Sequence, residues 1–331
     1  MIDRRTFVRA AAAVVATAGL DAFAQPAGRV FRVGILRSTA PPNSEDKVTA
    51  ESVLPVALAK LGYVAGRNLI IEWRYAEGNL LRLPVLAREL VQMQVDVIVA
   101  IADAAVKAAK EATVTIPIII FGNFDPVASG YVASLARPGR NVTGVLIAPD
   151  GTLAAKKLEL LKETVPRAKR IAVLSPEDPG SSRVQLPELR PAAAALGIEL
   201  EAVVVRNNDY VDAFARIAAT RPDALFVIAT TYFVRDRRSI IDLTRKYRLP
   251  AIWEWREQVV DGGLMAYGSS LAASYQRIAE YIDRIAKGAN PGELPVDQPT
   301  KVELVINLKT AKALGLTIPQ SLLLRADEVI Q

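Results

Sequence analysis

From Val30 onward, short runs rich in β-branched residues alternate with longer stretches whose apolar positions recur every three to four residues. The first pattern is that of a strand covered on both faces and the second that of a helix lying over it. Their alternation therefore specifies an α/β protein with parallel sheets. Val30 to Leu36, Asn68 to Trp73, Asp96 to Ala100, Pro117 to Phe121 and Val142 to Leu146 read as strands. Helices are expected at about Lys47 to Leu61, Leu80 to Gln92 and Asp103 to Ala112, with a shorter one near Val127 to Ala136. One lobe is then complete.

The series restarts after an amphipathic stretch, Thr152 to Val165, in which Leu153, Leu158 and Leu161 share a side. Arg170 to Leu174 matches Arg32 to Leu36, and Ala195 to Val205 matches Lys60 to Ile71; Asp223 to Ala229 and Leu249 to Trp253 then take the parts of Asp96 to Ala100 and Ile116 to Phe121. The fold class is thus two Rossmann-like lobes with parallel sheets joined by a hinge. After Gly262 to Tyr267, a long helix over Leu271 to Ala286 leads into the turn-rich connector Lys287 to Pro295, followed by a strand, Val302 to Ile306, and a helix, Lys309 to Leu314. The long helix is expected to cross back to the first lobe and the tail to the second. The expected division is residues 29–147 with about 270–298 as lobe 1, and 148–269 with about 299–331 as lobe 2. Two lobes imply a cleft, and ligands of open parallel sheets sit at the loops after the carboxyl ends of strands.

Ahead of the lobes, residues 1–24 read as an export signal: Arg4, Arg5 and Arg9, an apolar run from Ala10 to Leu20, then Ala22-Phe23-Ala24 before Gln25. As a helix the run spans about 16 Å, roughly half a bilayer's hydrocarbon core, so it does not cross a membrane. Arg4 to Arg9 resembles the twin-arginine motif; an ordinary secretory signal also opens with basic residues, and both routes stay open. No Cys follows the run, so no lipid anchor is expected, and the mature chain is expected in the periplasm as a soluble monomer.

Composition narrows the chemistry. The 331 residues include no Cys and no His, which excludes disulfides, thiolate zinc sites and every catalytic system built on a His base or a Cys nucleophile. Carboxylates, Lys and Tyr remain. The net charge of +6 is spread without a basic tract and reads as solubility, with no nucleic-acid partner. No GxGxxG or Walker sequence occurs, and no cofactor is expected.

Leu61-Gly-Tyr-Val-Ala-Gly-Arg-Asn68, Ala76-Glu-Gly78, Asp125-Pro-Val127, Ser134 to Gly139, Asn141-Val-Thr-Gly144, Gly262-Gly-Leu-Met265 and Pro299 to Pro319 together form a pattern more specific than generic α/β. Over Val30 to Ile330 the chain resembles the extracytoplasmic solute-binding proteins of ABC transporters, in the family whose better-known members serve tryptophan and tyrosine uptake. The resemblance implies a type I periplasmic-binding fold closing by hinge motion on a small organic solute, an amino acid or a related compound, aromatic ones included. It also implies delivery to an ABC permease and no catalysis.

The loops expected at the cleft carry Ser38 and Thr39, Asp103 and Ala104, Asn123 and Asp125, Asp178, the run Thr230, Thr231 and Tyr232, then Trp253 and Glu254, and Tyr267. A helix start in such a loop offers unpaired N–H groups that favour an anion. Relatives commonly carry Gly-Thr-Pro where this chain has Ala102-Asp103-Ala104; an ionised Asp103 repels a carboxylate and suits a cation, unless it only caps its own helix. Asp125 is either an acceptor for a ligand ammonium or the cap of the Val127 segment. Ser38 and Thr39 are small donors for a polar ligand. Trp253, Trp255 and Tyr232 fall where aromatics can stack on a planar or cationic solute, core packing being the competing role. Relatives often have Tyr-Pro-Ser-Arg-Glu in place of Trp253-Glu-Trp-Arg-Glu257, so ligand identity transfers least here. The charge run Arg235 to Arg238 is expected to be a solvated face. Two other readings remain: a two-lobed enzyme with Asp103, Asp125 or Glu254 as general base, and a sensor presenting bound solute to a membrane receptor.

Overall fold

The structure, a computed structural model, describes residues 30–43, 45–148 and 150–331. The export signal expected over residues 1–24 lies outside the described residues. Within Phe31–Gln331 a first sheet holds β1 (Phe31–Arg37), β2 (Leu69–Tyr75), β3 (Val97–Ile101), β4 (Ile118–Gly122) and β5 (Val142–Leu146), all parallel, in the order β2-β1-β3-β4-β5. Successive residues of a strand point to opposite faces. Val97, Val99 and Ile101 of β3 join one buried cluster with α1 (Ala50–Lys60), while Ile98 and Ala100 join another with α2 (Leu83–Gln92) and α3 (Asp103–Ala112). Both faces are covered, which is why the strands read as continuous apolar runs. Each such Val, Leu or Ile contributes about 1.5–3 kcal/mol by leaving water.

The second sheet contains β6 (Arg170–Ser175), β7 (Glu199–Val204), β8 (Ala224–Val227), β9 (Ala251–Trp253), β10 (Met265–Gly268), β11 (Glu303–Asn307) and β12 (Glu328–Ile330), ordered β12-β11-β10-β9-β8-β6-β7. Its first five strands repeat the order of the first sheet, so the internal duplication extends to topology. The sheet is not wholly parallel, because β11 runs against β10. The three-residue β12, too short to leave a periodic signal, adds an unanticipated edge parallel to β11. The helices of this half are α4 (Thr152–Thr164), α5 (Gly180–Ala195), α6 (Tyr210–Thr220), α7 (Thr231–Arg235), α8 (Arg237–Lys246) and α9 (Arg256–Val260).

After β10 the Ser270 hydroxyl caps α10 (Leu271–Ala286) by accepting the Ala273 N–H. Leu271, Tyr275, Ile278, Ala279 and Ile282, on one face at three-to-four spacing, bury against the first sheet beside α1. The chain then bridges from Asp297 to Val145 and enters β11, followed by α11 (Leu308–Leu314) and α12 (Gln320–Leu323). It therefore passes between the sheets three times.

The short helix expected near Val127 to Ala136 does not form. One turn closes over residues 126–130, Gly130 at φ 68° ends it, and the Tyr131 and Val132 N–H groups both return to the Pro126 carbonyl. In each sheet the strand order reverses beside the first strand, between β1 and β3 and between β6 and β8. Crevices for ligands form at such reversals.

Candidate functional site

The register aligns Arg37, Ile101 and Phe121 across β1, β3 and β4. The next residues, Ser38 and Thr39, Ala102 and Asp103, Gly122 and Asn123, therefore leave the sheet side by side at about 4.8 Å strand spacing. Ser38 Oγ, Thr39 Oγ1, Asp103 Oδ1 and Asn123 Oδ1 are all buried without a hydrogen-bond partner. The second half contributes Thr231 Oγ1 and Trp255 Nε1 in the same condition, and Thr230, buried at the start of α7, makes no side-chain cap. An orphaned buried polar atom costs about 1–3 kcal/mol, so a concentration of them at strand ends points to a ligand as their partner.

The two halves meet at Asp103 and Asp178. Asp178, in the loop after β6, accepts the Gly180 N–H at 3.1 Å and the Tyr232 O–H at 3.4 Å, and lies against the Ala104 N–H at the start of α3. Asp103 is the first residue of α3, caps nothing, and crowds Gly180: a Cβ there would lie 2.4 Å from Asp103 Cβ. Ser38 lies next to Tyr232, and the Tyr131 O–H donates to the Asp103 carbonyl at 3.4 Å. Burial raises the Asp178 carboxyl, and the charge of Asp103 adds to that against the N–H groups of Gly180 and Ala104 and the Tyr232 hydroxyl. Burial likewise raises the Tyr232 phenol, with the charge of Asp178 next. A cavity of about 550 Å³ opens beside Asp178 and Tyr232, between the loop after β2 and the loops after β6 and β7.

A second contact joins the halves elsewhere, and it corrects the expectation of a solvated face over Arg235 to Arg238. Arg237 is buried and donates to Asp46, in the segment between β1 and α1, at 2.6 Å and to Asp261 at 2.7 Å. Arg238 adds Glu45 at 2.5 Å. No periodicity signals this contact; the hint is the basic run Arg235 to Arg238 and the acidic pair Glu45-Asp46, in composition alone.

Other expected residues go elsewhere. Asp125 Oδ1 accepts the Val127 and Ala128 N–H groups at 2.9 and 3.0 Å, so its carboxylate caps the turn. Trp253 is wholly enclosed in the second core, as the core-packing reading has it, and the half-buried Tyr267 packs against the same cluster. Glu254 is buried in an ion pair with Lys157 at 2.7 Å; burial raises its carboxyl, and Lys157 opposes that. Trp255, two residues beyond Trp253, instead enters the first sheet's cluster with Ala229 and Val234. Among the described residues no group of three or more His, Cys, Asp or Glu converges as a metal site, and no helix is long and apolar enough to cross a membrane.

A family model described as ABC transporter substrate binding protein matches residues 47–330. Over 260 residues the chain is 28% identical to a tyrosine-binding protein of Clostridioides difficile (strain R20291), covering 78% of this chain and 74% of that one. It superposes on the ABC domain in complex with L-Trp from Streptococcus pneumonia with a TM-score of 0.79 at 26% identity, covering 91% of this chain and 99% of that one. With the ligand-free, open structure of a substrate-binding protein with adhesive properties from Clostridium difficile the TM-score is 0.61 at 25% identity, covering 91% and 100%. The architecture is that of type I periplasmic binding proteins. With the family model spanning most of its length, this chain belongs to the ABC transporter substrate-binding protein family.

Proposed function

We propose that the protein captures a small organic solute of amino-acid size between its lobes, outside the cytoplasm, and passes it unchanged to an ABC permease. The observation that carries this reading is the set of buried, unpartnered polar atoms at the strand ends of both sheets, above all Ser38, Thr39, Asn123 and Thr231. Lobe 1 is taken as residues 29–147 with about 270–298 and lobe 2 as 148–269 with about 299–331, hinged where the chain passes between the sheets. The better superposition on the L-Trp complex than on the open relative, at nearly equal identity, supports a closed setting of the lobes. The relatives that bind tyrosine and L-Trp support an amino-acid-sized, aromatic-compatible cleft.

The non-catalytic reading is supported by where the carboxylates go. Asp125 is a cap and Glu254 is tied to Lys157, so of the three considered as a general base only Asp103 faces the cleft. The protein is proposed to act as a soluble periplasmic monomer. The test is thermal shift across amino acids, amines, carboxylates and purines, followed by mass spectrometry of the released compound. A solute at 100 times its dissociation constant adds about 2.7 kcal/mol of stability. A midpoint rise with the solute recovered intact is expected; recovery of a converted product would install the enzyme reading instead.

A further inference from the structure

Several buried charges near the lobe boundary are met by a charge of opposite sign. Arg237 has Asp46 and Asp261, Arg37 has Glu51, and Lys157 has Glu254. Asp103 and Asp178, brought together from opposite lobes, have no Lys or Arg partner among the described residues. The adjoining cavity is lined by the carboxylates Glu77, Glu177 and Asp178 and by no Lys or Arg, in a chain whose net charge is +6. Glu77 pairs with Arg82 at 3.0 Å, which leaves Glu177 and Asp178 without a cationic partner among the described residues, a lining that favours a cation over an anion.

The N-terminus of α3 would ordinarily attract an anion. Here its Ala104 N–H faces Asp178 of the other lobe, and Asp103 sits in the first turn. The place a solute carboxylate would take is filled by the protein's own. Beside it the Ser38 hydroxyl, 1% exposed and without a partner, adjoins Tyr232 and offers an acceptor. We infer that this corner is a subsite for the cationic head of an organic amine that carries no free carboxylate next to that head, with Asp103 and Asp178 as its charge partners and Ser38 as a hydrogen-bond acceptor. The inference rests on the solute-binding reading and narrows it: a cation turns the repulsion between two carboxylates into attraction from both lobes, so closure depends on it.

The test is calorimetry on the purified protein with sets that share a skeleton: tyramine, tyrosine and 3-(4-hydroxyphenyl)propanoate; tryptamine, tryptophan and indole-3-propanoate; isopentylamine, leucine and 4-methylpentanoate. Calcium chloride is a separate arm. The expected result is that, within the skeleton that fits, the amine binds at least tenfold more tightly than the amino acid and the carboxylate does not bind. Asp103→Asn with Asp178→Asn should lower amine affinity at least tenfold; each single variant, checked for an unchanged unfolding midpoint, should lose part of it. An amino acid or carboxylate binding as tightly as the amine would overturn the inference while leaving solute capture intact. Calcium binding without any amine, or amine affinity that survives both substitutions, would also overturn it. No binding by any compound would overturn both readings.

Discussion

Two places where the lobes touch through charged groups are built on opposite principles. At Arg237 and Asp46 a buried cation meets a buried anion, with Asp261 completing the guanidinium's partners. At Asp103 and Asp178 two anions approach with nothing positive between them. A complementary pair favours closure whatever the cleft holds, whereas a like-charged pair opposes it until something cationic arrives. Together they place the closed state in balance, held on one side and conditional on the other, which is what a binding protein needs if it is to open again.

The comparison breaks most completely if the conditional corner is blocked by shape. Gly180→Ala would put a Cβ 2.4 Å from Asp103 Cβ, and neither atom can be moved by a side-chain rotation. Within its own lobe the substitution is harmless, since Ala is favoured over Gly in a helix by up to about 1 kcal/mol. Solute affinity should fall by two orders of magnitude or more, while the unfolding midpoint without solute stays level or rises and small-angle scattering reports a wider molecule. Retained affinity would mean that the lobes do not approach here in the bound state.

The next largest effect comes from the other side. Asp46→Asn leaves Arg237 with Asp261 and the Val234 carbonyl, and removing one partner of a buried pair costs about 3–5 kcal/mol in the closed form. Opening hydrates the arginine and limits the loss, so about a ten- to hundredfold weaker affinity is expected by calorimetry. The loss should be the same for every solute, unlike that from Asp178→Asn, which should fall on amines alone. Arg237→Met in the Asp46→Asn background should restore most of it.

Much of this molecule is legible in its residues, for reasons that also explain what is not. β1 to β5 read directly because both faces of the sheet are covered, so each strand is an uninterrupted apolar run. The match between Arg32 to Leu36 and Arg170 to Leu174 anticipates two sheets of the same order, and strand ends at the order reversals direct attention to Ser38, Asp103 and Thr230. Closure itself leaves no local pattern. Gly180 looks like any helix-start glycine until Asp103 is seen against it, and Arg237 carries no mark that separates it from solvated neighbours. Trp253 and Trp255 lie two apart, where alternation would give them one face, yet β9 ends at Trp253 and the chain turns the second indole into the other lobe's core. The turn after Asp125 fails as a helix because Gly130, an ordinary residue by composition, takes φ 68°.

A smaller effect separates the two contacts by pH. Burial and then the charge of Asp103 raise the Asp178 carboxyl, with Tyr131, Tyr232 and the Gly180 and Ala104 N–H groups also facing it. A raised carboxyl contributes stability that is fully present below its unfolded value, about 3.9, and lost as pH rises through the folded one. Without solute, this group therefore makes the fold less stable on ionising. A bound amine needs the ionised form, so amine affinity should climb, by up to about tenfold for each unit of pH, over the same window. Calorimetry from pH 4 to 8 should show the climb in the native protein and not in Asp178→Asn. A flat profile in both would remove Asp178 from the cation's surroundings.

The smallest change tests how the corner is held. Ala102, which precedes Asp103, has φ 80° and ψ 156°, a region suited to glycine, at a strain of about 1–3 kcal/mol. Its methyl, 7% exposed, belongs to the second sheet's apolar cluster although β3 and α3 lie in the first lobe, so the strain is offset by a contact across the cleft. Ala102→Gly relieves the strain, loses about 0.8 kcal/mol of buried methyl and frees the unfolded chain by about 0.4–1 kcal/mol. Stability without solute should therefore change by no more than about 1–2 kcal/mol, toward the more stable side, as urea unfolding would register. Closure loses only the methyl, and solute affinity should drop about fourfold. The two readouts move in opposite directions because the methyl acts between the lobes while the strain is confined to one. A drop beyond tenfold would mean that the strained backbone itself aims Asp103 at Asp178, making Ala102 a positioning residue rather than a packing one.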